Sequence, residues 1–138
     1  MSFDVEATKA KFPKLYEDFN KGDFSDVVLQ SWCIIELCFN NVILRVYRVS
    51  SQDAKSKPLL RFPFREKLKL FKELKLVSTS EYQTLTRFSQ KRNEIVHKIG
   101  GGMFYIEDSE KKEIMTNAVN SALIAHSIFV RAFDDTKV

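Results

Sequence analysis

Residues 26 to 49 read DVVLQSWCIIELCFNNVILRVYRV, and this stretch decides the fold. Apolar side chains fall on most sides of the helix that it would form, with few polar positions between them. A helix of this kind is normally buried by neighbours on several faces, so we expect it to be the central helix of a bundle. Gly22 breaks the pattern before it, and Asp23 or Ser25 can cap its first turn.

Helical periodicity continues on both sides of this segment, and no stretch shows the apolar–polar alternation of a strand. Besides the central helix, the predicted helices cover residues 3–20, 64–77, 79–99 and 109–133. Pro13 is expected to kink or restart the first of them. Ser78 and Glu81 have the S-x-x-E spacing of a capping box, which opens the helix at 79. Residues 50–63, rich in serine and lysine and containing two prolines, predict a loop.

Length and composition fit a single ordinary globule. The chain has 138 residues, of which 44% are hydrophobic and 29% charged, and this is typical of one domain with its own core. We therefore predict one all-α domain over residues 1–138, an up-and-down bundle of four to five helices. The net charge of +4 is compatible with an anionic partner such as nucleic acid but does not require one.

Three function classes are disfavoured by what the sequence lacks. The N-terminal MSFDVEATKAKFPK has no apolar core of a signal peptide, and no run of about 18 apolar residues is present, so we expect a cytoplasmic protein with no membrane partner. Cys33 and Cys38 would lie about 140° apart on a helix, and are predicted to be unpaired, small buried side chains. Neither CxxC nor HExxH occurs, so neither a metal site nor a cofactor is predicted.

Chemically interesting residues cluster in FSQKRNEIVHKIGGG, residues 88 to 102. On a helical wheel, one apolar stripe contains Tyr82, Leu85, Phe88, Ile95, Val96 and Ile99. Arg92 falls in the middle of that stripe, where a guanidinium needs a partner or a route to water. Glu36, a carboxylate inside the apolar central helix, is the best candidate partner. The alternative is that Glu36 reaches solvent on a narrow polar strip.

His97 falls on the polar flank of the same helix. It lies in the last turn, where the helix dipole favours a cation, and histidine is the commonest general acid or base. Asn93, four residues earlier, shares its face and can orient the imidazole or hold a ligand oxygen. Arg92 can complement the charge that develops on a phosphate. The structural alternatives are a salt bridge for Arg92 and an idle surface position for His97.

The series Arg92–Asn93–x3–His97 on the penultimate helix of a small bundle resembles the signature of the HEPN superfamily. That signature is an arginine, four to six residues and then a histidine, commonly with a polar residue after the arginine. The resemblance implies a homodimer whose two motifs meet, and a metal-independent endoribonuclease of the toxin or defence type without a cofactor. In such enzymes the ribose 2′-hydroxyl attacks the adjacent phosphate. It also implies catalytic roles for Arg92, Asn93 and His97, with Glu36 as support.

The resemblance leaves two points open. One HEPN group, the toxins silenced by a nucleotidyltransferase partner, carries a tyrosine two residues after the histidine, where this chain has Ile99. Regulation by modification of that tyrosine is therefore not expected, although an antitoxin or regulatory protein remains an implied partner. Other HEPN domains are non-catalytic interaction or RNA-binding modules, and such a module is the alternative function.

A basic segment precedes the motif. Residues 55 to 75 hold eight basic side chains against two acidic ones, and backbone phosphates of RNA would suit such a run. The predicted RNA contacts are Arg61, Arg65, Lys69 and Lys72 in this segment, and Lys91 and Lys98 beside the motif. The alternative is a solvated charged face. The second histidine, His126, lies beside an apolar stripe and is predicted to be structural.

Overall fold

The computed structural model describes residues 2–46, 62–100 and 105–134. Regular structure within these ranges is entirely helical, so the all-α fold class is confirmed. The helices are α1 (Val5–Lys11), α2 (Pro13–Asn20), α3 (Phe24–Val46), α4 (Phe64–Glu73), α5 (Thr79–Gly100) and α6 (Asp108–Ala132). The described ranges thus contain six helices rather than four to five, because Pro13 starts a new helix within the segment predicted as one. Most of the predicted loop at 50–63 lies outside the described residues.

Local chemistry sets several helix ends. The Asp4 carboxylate accepts a hydrogen bond from the backbone N–H of Ala7 and caps α1. Gly22 has a φ of 73°, which glycine adopts at little cost, and so ends α2. The helix predicted to reach residue 77 stops at Glu73 instead. Lys75 there has a left-handed φ of 62°, and the N–H of Leu76 donates to the carbonyl of Phe71.

The packing of α3 against α6 forms the centre of the protein, as the apolar run predicts. Fully buried residues of α3 include Val27, Ile35, Val42 and Ile43, and those of α6 include Ala118, Val119, Ala122, Ala125 and Ile128. Small alanine side chains let the two helix axes approach closely, and the larger side chains of α3 fill the space beside them. The remaining helices pack around this pair and bury much of the rest of α3.

The long helix α3 also passes a simple test for a membrane span. Within the described ranges it is the one helix long and apolar enough, with a mean hydropathy of 1.6 over 18 residues. Half of that window is buried inside the protein, as expected for a core helix. It still exposes four large apolar side chains, of which Leu29 at 62% and Leu37 at 65% are more exposed than Leu44 and Val46.

The two cysteines have different environments. Both thiols are free, in agreement with the prediction that they do not pair. Cys38 is buried as predicted, and burial raises the pKa of its thiol to about 11. Cys33 is exposed, because it lies on the outer face of α3 between Leu29 and Leu37, so its predicted burial is wrong.

The predicted capping box forms and extends into a tertiary contact. The backbone N–H of Ser78 donates to Glu81 Oε1 at 2.9 Å, and the N–H of Glu81 donates to Ser78 Oγ at 3.2 Å. Arg131 of α6 binds both oxygens of the same carboxylate at 2.8 and 2.7 Å and also donates to the carbonyl of Leu76. These charge-assisted bonds hold the start of α5 against the end of α6 and lower the pKa of Glu81.

We expect Arg131→Met to lower the free energy of unfolding by about 1–3 kcal/mol, because the half-buried Glu81 carboxylate loses a bidentate partner. The measurement is urea unfolding at neutral pH. Lys21→Met is the matched control. It breaks an ion pair with Glu17 in which both side chains are more than half exposed, so it should cost less than about 0.5 kcal/mol. Equal costs for the two variants would contradict this account.

Candidate functional site

An aromatic cluster forms the floor of the candidate site. Phe64 of α4 stacks on Phe39 of α3, with ring centroids 5.1 Å apart and planes at 5°. Trp32 of α3 packs against Phe64 at 5.1 Å and against Phe88 of α5 at 6.1 Å. Such pairs stabilise by about 0.5–1.5 kcal/mol each beyond the area that they bury. The cluster therefore fixes α3, α4 and α5 relative to one another.

Arg92 of α5 packs on this aromatic cluster. Its guanidinium carbon lies 4.2 Å from the centroid of the Trp32 ring, within the range of a cation–π interaction. One guanidinium nitrogen also donates to Asn93 Oδ1 at 3.4 Å. An aromatic face therefore provides the partner that Arg92 requires in an apolar stripe, while the outer side of the guanidinium remains available.

The predicted ion pair between Arg92 and Glu36 is not formed. Glu36 is exposed, and among the described residues no salt bridge joins it to Arg92. Arg92 instead lies over the ring of Trp32, which precedes Glu36 by one turn of α3 and packs against Phe88 of α5. Glu36 instead reaches solvent at the edge of the site, which was the alternative interpretation.

A cleft of about 720 Å³ opens between α3, α4 and α5 above the aromatic floor. This volume lies within the range of small-molecule and substrate pockets. Polar and charged residues around it are Glu36, Asn40, Arg65, Glu66, Lys67, Thr86, Ser89, Gln90, Arg92 and Asn93, and apolar ones are Trp32, Phe39, Phe62, Pro63, Phe64 and Leu68. The cleft thus combines three basic and two acidic side chains, amides and hydroxyls with an aromatic floor.

Lys67 is a member of this site that the sequence did not single out. Its side chain is buried, with 9% exposure, and its Nζ donates to Asn40 Oδ1 at 2.9 Å. Burial lowers the pKa of Lys67, and the nearby Glu36 carboxylate opposes that shift. Lysine alternates with apolar residues in α4, so only the tertiary structure shows that this ammonium faces the cleft.

His97 lies just beyond the cleft on the same face of α5. Thr86, Ser89 and Asn93 line the cleft, and His97 follows Asn93 by one helical turn, a rise of about 6 Å. The imidazole is exposed, as predicted for the polar flank. Within the described ranges no hydrogen bond or ring contact involves it. Arg92 and Asn93 therefore line the cleft, whereas His97 lies outside it, on the face of Asn93 and about 140° from Arg92 around the helix axis.

Val96, predicted to lie in the apolar stripe of α5, is 54% exposed. The stripe is buried at Leu85, Phe88 and Ile95, so its burial does not extend to Val96. Tyr105, five residues after the end of α5, is 81% exposed.

The predicted RNA contacts on α4 share one face of that helix. Arg65 lines the cleft, and Lys69 and Lys72 follow at i+4 and i+7 with exposed side chains. The ammonium of Lys72 lies 4.6 Å from the ring centroid of Tyr82 on α5. Arg61 lies outside the described residues.

The two predicted contacts beside the motif differ in environment. Lys98 is exposed next to His97. Lys91 lies on another side of α5, where its ammonium is 3.6 Å from Glu94 and 3.4 Å from Glu110 of α6. The Glu94 carboxylate is the main cause of the raised pKa of Lys91. Because two carboxylates already neutralise it, Lys91 is the least suited of the predicted contacts to bind phosphate.

An acidic cluster at the junction of α2 and α3 was not predicted. Carboxylate oxygens of Asp18, Asp23 and Asp26 lie within 4.8 Å of one another. Asp18 is buried and already accepts hydrogen bonds from Lys14 and Gln30, whereas the other two are exposed. Exposed acidic groups of this kind are common without a bound ion, and the engaged Asp18 has a structural role.

We expect Arg92→Ala to cost only about 1–2 kcal/mol of stability, the worth of a partly desolvated cation–π contact. Arg87→Ala, an exposed arginine on the same helix, is the control and should change stability by less than about 0.5 kcal/mol. A double-mutant cycle of Arg92→Ala with Glu36→Gln should give a coupling energy below about 0.5 kcal/mol in urea unfolding. A coupling above about 1 kcal/mol would show that the ion pair forms after all.

His126 generates a pH prediction. Its ring packs edge-on against Phe12 at 5.8 Å, and its buried Nδ1 has no hydrogen-bond partner. Burial, with a smaller effect from Lys11, lowers the pKa of His126 below 6.5.

Because this pKa is lowered, the contribution of the neutral His126 to the free energy of unfolding is complete above pH 6.5 and is lost as pH falls through the folded-state pKa. His126→Phe should therefore lose less thermal stability than the parent between pH 7.5 and 5.5. An identical loss would exclude His126 as the cause.

Comparison of the chain with protein-family models, with curated proteins and with solved structures gives no match.

Proposed function

We propose that this protein is a metal-independent endoribonuclease of the toxin or defence type, acting as a HEPN-like homodimer. The observation that carries the proposal is the placement of Arg92 and His97. The Arg92 guanidinium lies over the Trp32 ring and lines the cleft, and His97 is exposed one turn beyond Asn93. Neither is used by the described part of the chain in an ion pair with a carboxylate.

The chemistry follows from these two side chains. A neutral imidazole takes the proton of a ribose 2′-hydroxyl, and the oxygen attacks the adjacent phosphorus. The bond to the 5′-oxygen breaks, leaving a 2′,3′-cyclic phosphate and a 5′-hydroxyl after the leaving oxygen gains a proton. Arg92 stabilises the charge that accumulates on the non-bridging phosphate oxygens. Asn93, already hydrogen-bonded to Arg92, positions that guanidinium or binds a phosphate oxygen.

A second protomer would supply what one chain lacks. The reaction needs both a base and an acid, whereas the described residues near Arg92 contain one histidine. An isologous dimer places each motif beside its counterpart, so that one imidazole acts as base and the other as acid. The exposed Val96, next to His97, is an apolar side chain that such an interface would cover.

A non-catalytic helical module for protein interaction or RNA binding is the second candidate. The observation that favours it is the outer face of α3, where Leu29, Cys33 and Leu37 are exposed at helical spacing. Such a stripe suits a partner helix. In that case an antitoxin or regulatory protein would be the natural occupant, and the basic cleft would only bind RNA.

Purified protein should cleave single-stranded RNA in EDTA, and His97→Ala should reduce the rate by roughly 10²–10⁴-fold, the usual worth of a general acid or base. Because His97 is exposed, the same change should alter stability by less than about 0.5 kcal/mol. The measurement is a gel assay of a labelled oligonucleotide, with end-group analysis for the cyclic phosphate and light scattering for the dimer.

His126→Phe is the matched control, since it removes the other histidine without touching the cleft, and it should cleave as the parent does. Full activity in His97→Ala would overturn the nuclease assignment. Activity that is lost in EDTA and restored by magnesium would instead contradict the metal-independent mechanism, as would cleavage of a strand that lacks the 2′-hydroxyl.

A further inference from the structure

The cleft holds three basic side chains and neutralises none of them with an ion pair. Lys67 is buried, and among the described residues its hydrogen-bond partner is the neutral amide of Asn40, with the Glu36 carboxylate farther away. Arg92 lies on an aromatic ring, and Arg65 is exposed at the rim. In the part of the chain that the structure describes, no carboxylate lies within 4 Å of any of the three cations.

A buried ammonium with no carboxylate at ion-pair distance is unfavourable, because it has lost water and the more distant Glu36 compensates only in part. Anionic groups that entered the cleft would offset this cost, since Lys67 and the outer side of Arg92 are both hydrogen-bond donors that line it. Phosphate fits this pair well, because the guanidinium offers two parallel donors and the ammonium a compact charge. The carboxylates of Glu36 and Glu66, which also line the cleft, keep the site from being uniformly positive.

The cleft is larger than one phosphate needs. Its volume of about 720 Å³ leaves space for several linked groups, and Phe62 presents a ring that is 44% exposed at one wall. Exposed aromatic rings in basic grooves stack with bases of single-stranded nucleic acid. The α5 wall, with Ser89 and Asn93, continues toward His97.

We propose that this cleft holds the single-stranded RNA beside the bond being cut, with phosphates at Lys67 and Arg92 and a base on Phe62. The inference rests on the ribonuclease function proposed above and adds a path for the strand, from α4 across Arg92 to His97. Lys67 binds a phosphate next to the reacting one and holds it equally in the ground state and the transition state. Its loss therefore raises KM and leaves kcat nearly unchanged.

Trp32 reports on this cleft directly, because it is the one tryptophan of the chain and carries Arg92 on its ring. The probe is a single-stranded deoxyribonucleotide pentamer, which lacks the 2′-hydroxyl and so binds without being cut. Adding it should change the fluorescence of Trp32 as Arg92 turns to phosphate. Lys67→Met should weaken binding about tenfold and reduce the slope of log affinity against log salt by about 0.7.

Lys112→Met is the control, since it removes one exposed lysine of α6 away from the cleft and should leave affinity and cleavage unchanged. Arg65→Gln, at the exposed rim, serves as a second variant that does not disturb the packing. It should also weaken binding and raise KM. If both variants bind the pentamer as tightly as the parent does, the cleft does not hold the strand.

Two further arms separate this inference from the function on which it rests. If Lys67→Met cleaves RNA with an unchanged KM, the ribonuclease function is retained and the role of the cleft in substrate binding is rejected. If the protein does not cleave RNA but binds the pentamer in a way that depends on Lys67, the ribonuclease function is rejected and the binding site for the strand is retained. Inorganic phosphate or a mononucleotide that binds as tightly as the pentamer would show a site for one phosphate, and would overturn the proposed strand path.

Discussion

The close packing of α3 on α6 is the constraint on which the rest of the structure depends. Alanines at positions 118, 122 and 125 are completely buried, so the two helices meet along most of their length. This contact uses one side of α3 and fixes its rotation. Trp32 consequently faces α4 and α5, whereas Leu29 and Leu37 face outward. The candidate site is therefore a consequence of how the core orients one helix.

Much of the fold could be predicted from the sequence because its signals are local. The apolar run of α3, the break at Pro13 and the capping box at Ser78 each act within one or two helical turns. The structure keeps all three. The helix predicted to reach residue 77 ended early because a left-handed Lys75 has no clear signal in sequence, being neither glycine nor asparagine.

Of the candidate site, the sequence predicted only those features that depend on residue spacing within a single helix. The exposure of His97 and its shared face with Asn93 follow from helical spacing. The partner of Arg92 cannot be predicted from helical spacing. Trp32 and Glu36 are four residues apart on α3, and only the rotation of that helix determines which of them contacts Arg92. Lys67 was missed for the same reason. A wheel places it on a flank of α4, while its burial depends on where Asn40 and the rim of the cleft lie.

The cleft is one of the places where the structure departs from ordinary core chemistry, and α3, α4 and α5 meet there. An apolar residue at position 67 would bury as well as lysine without the cost of desolvating a charge. An arginine on an aromatic ring, a lysine hydrogen-bonded to an amide and an exposed histidine one turn away are not required by the packing of α3 on α6. Groups that break local rules without a gain in stability are expected at functional sites. Their common feature is affinity for phosphate oxygens, and this connects the basic cleft to the chemistry proposed for His97.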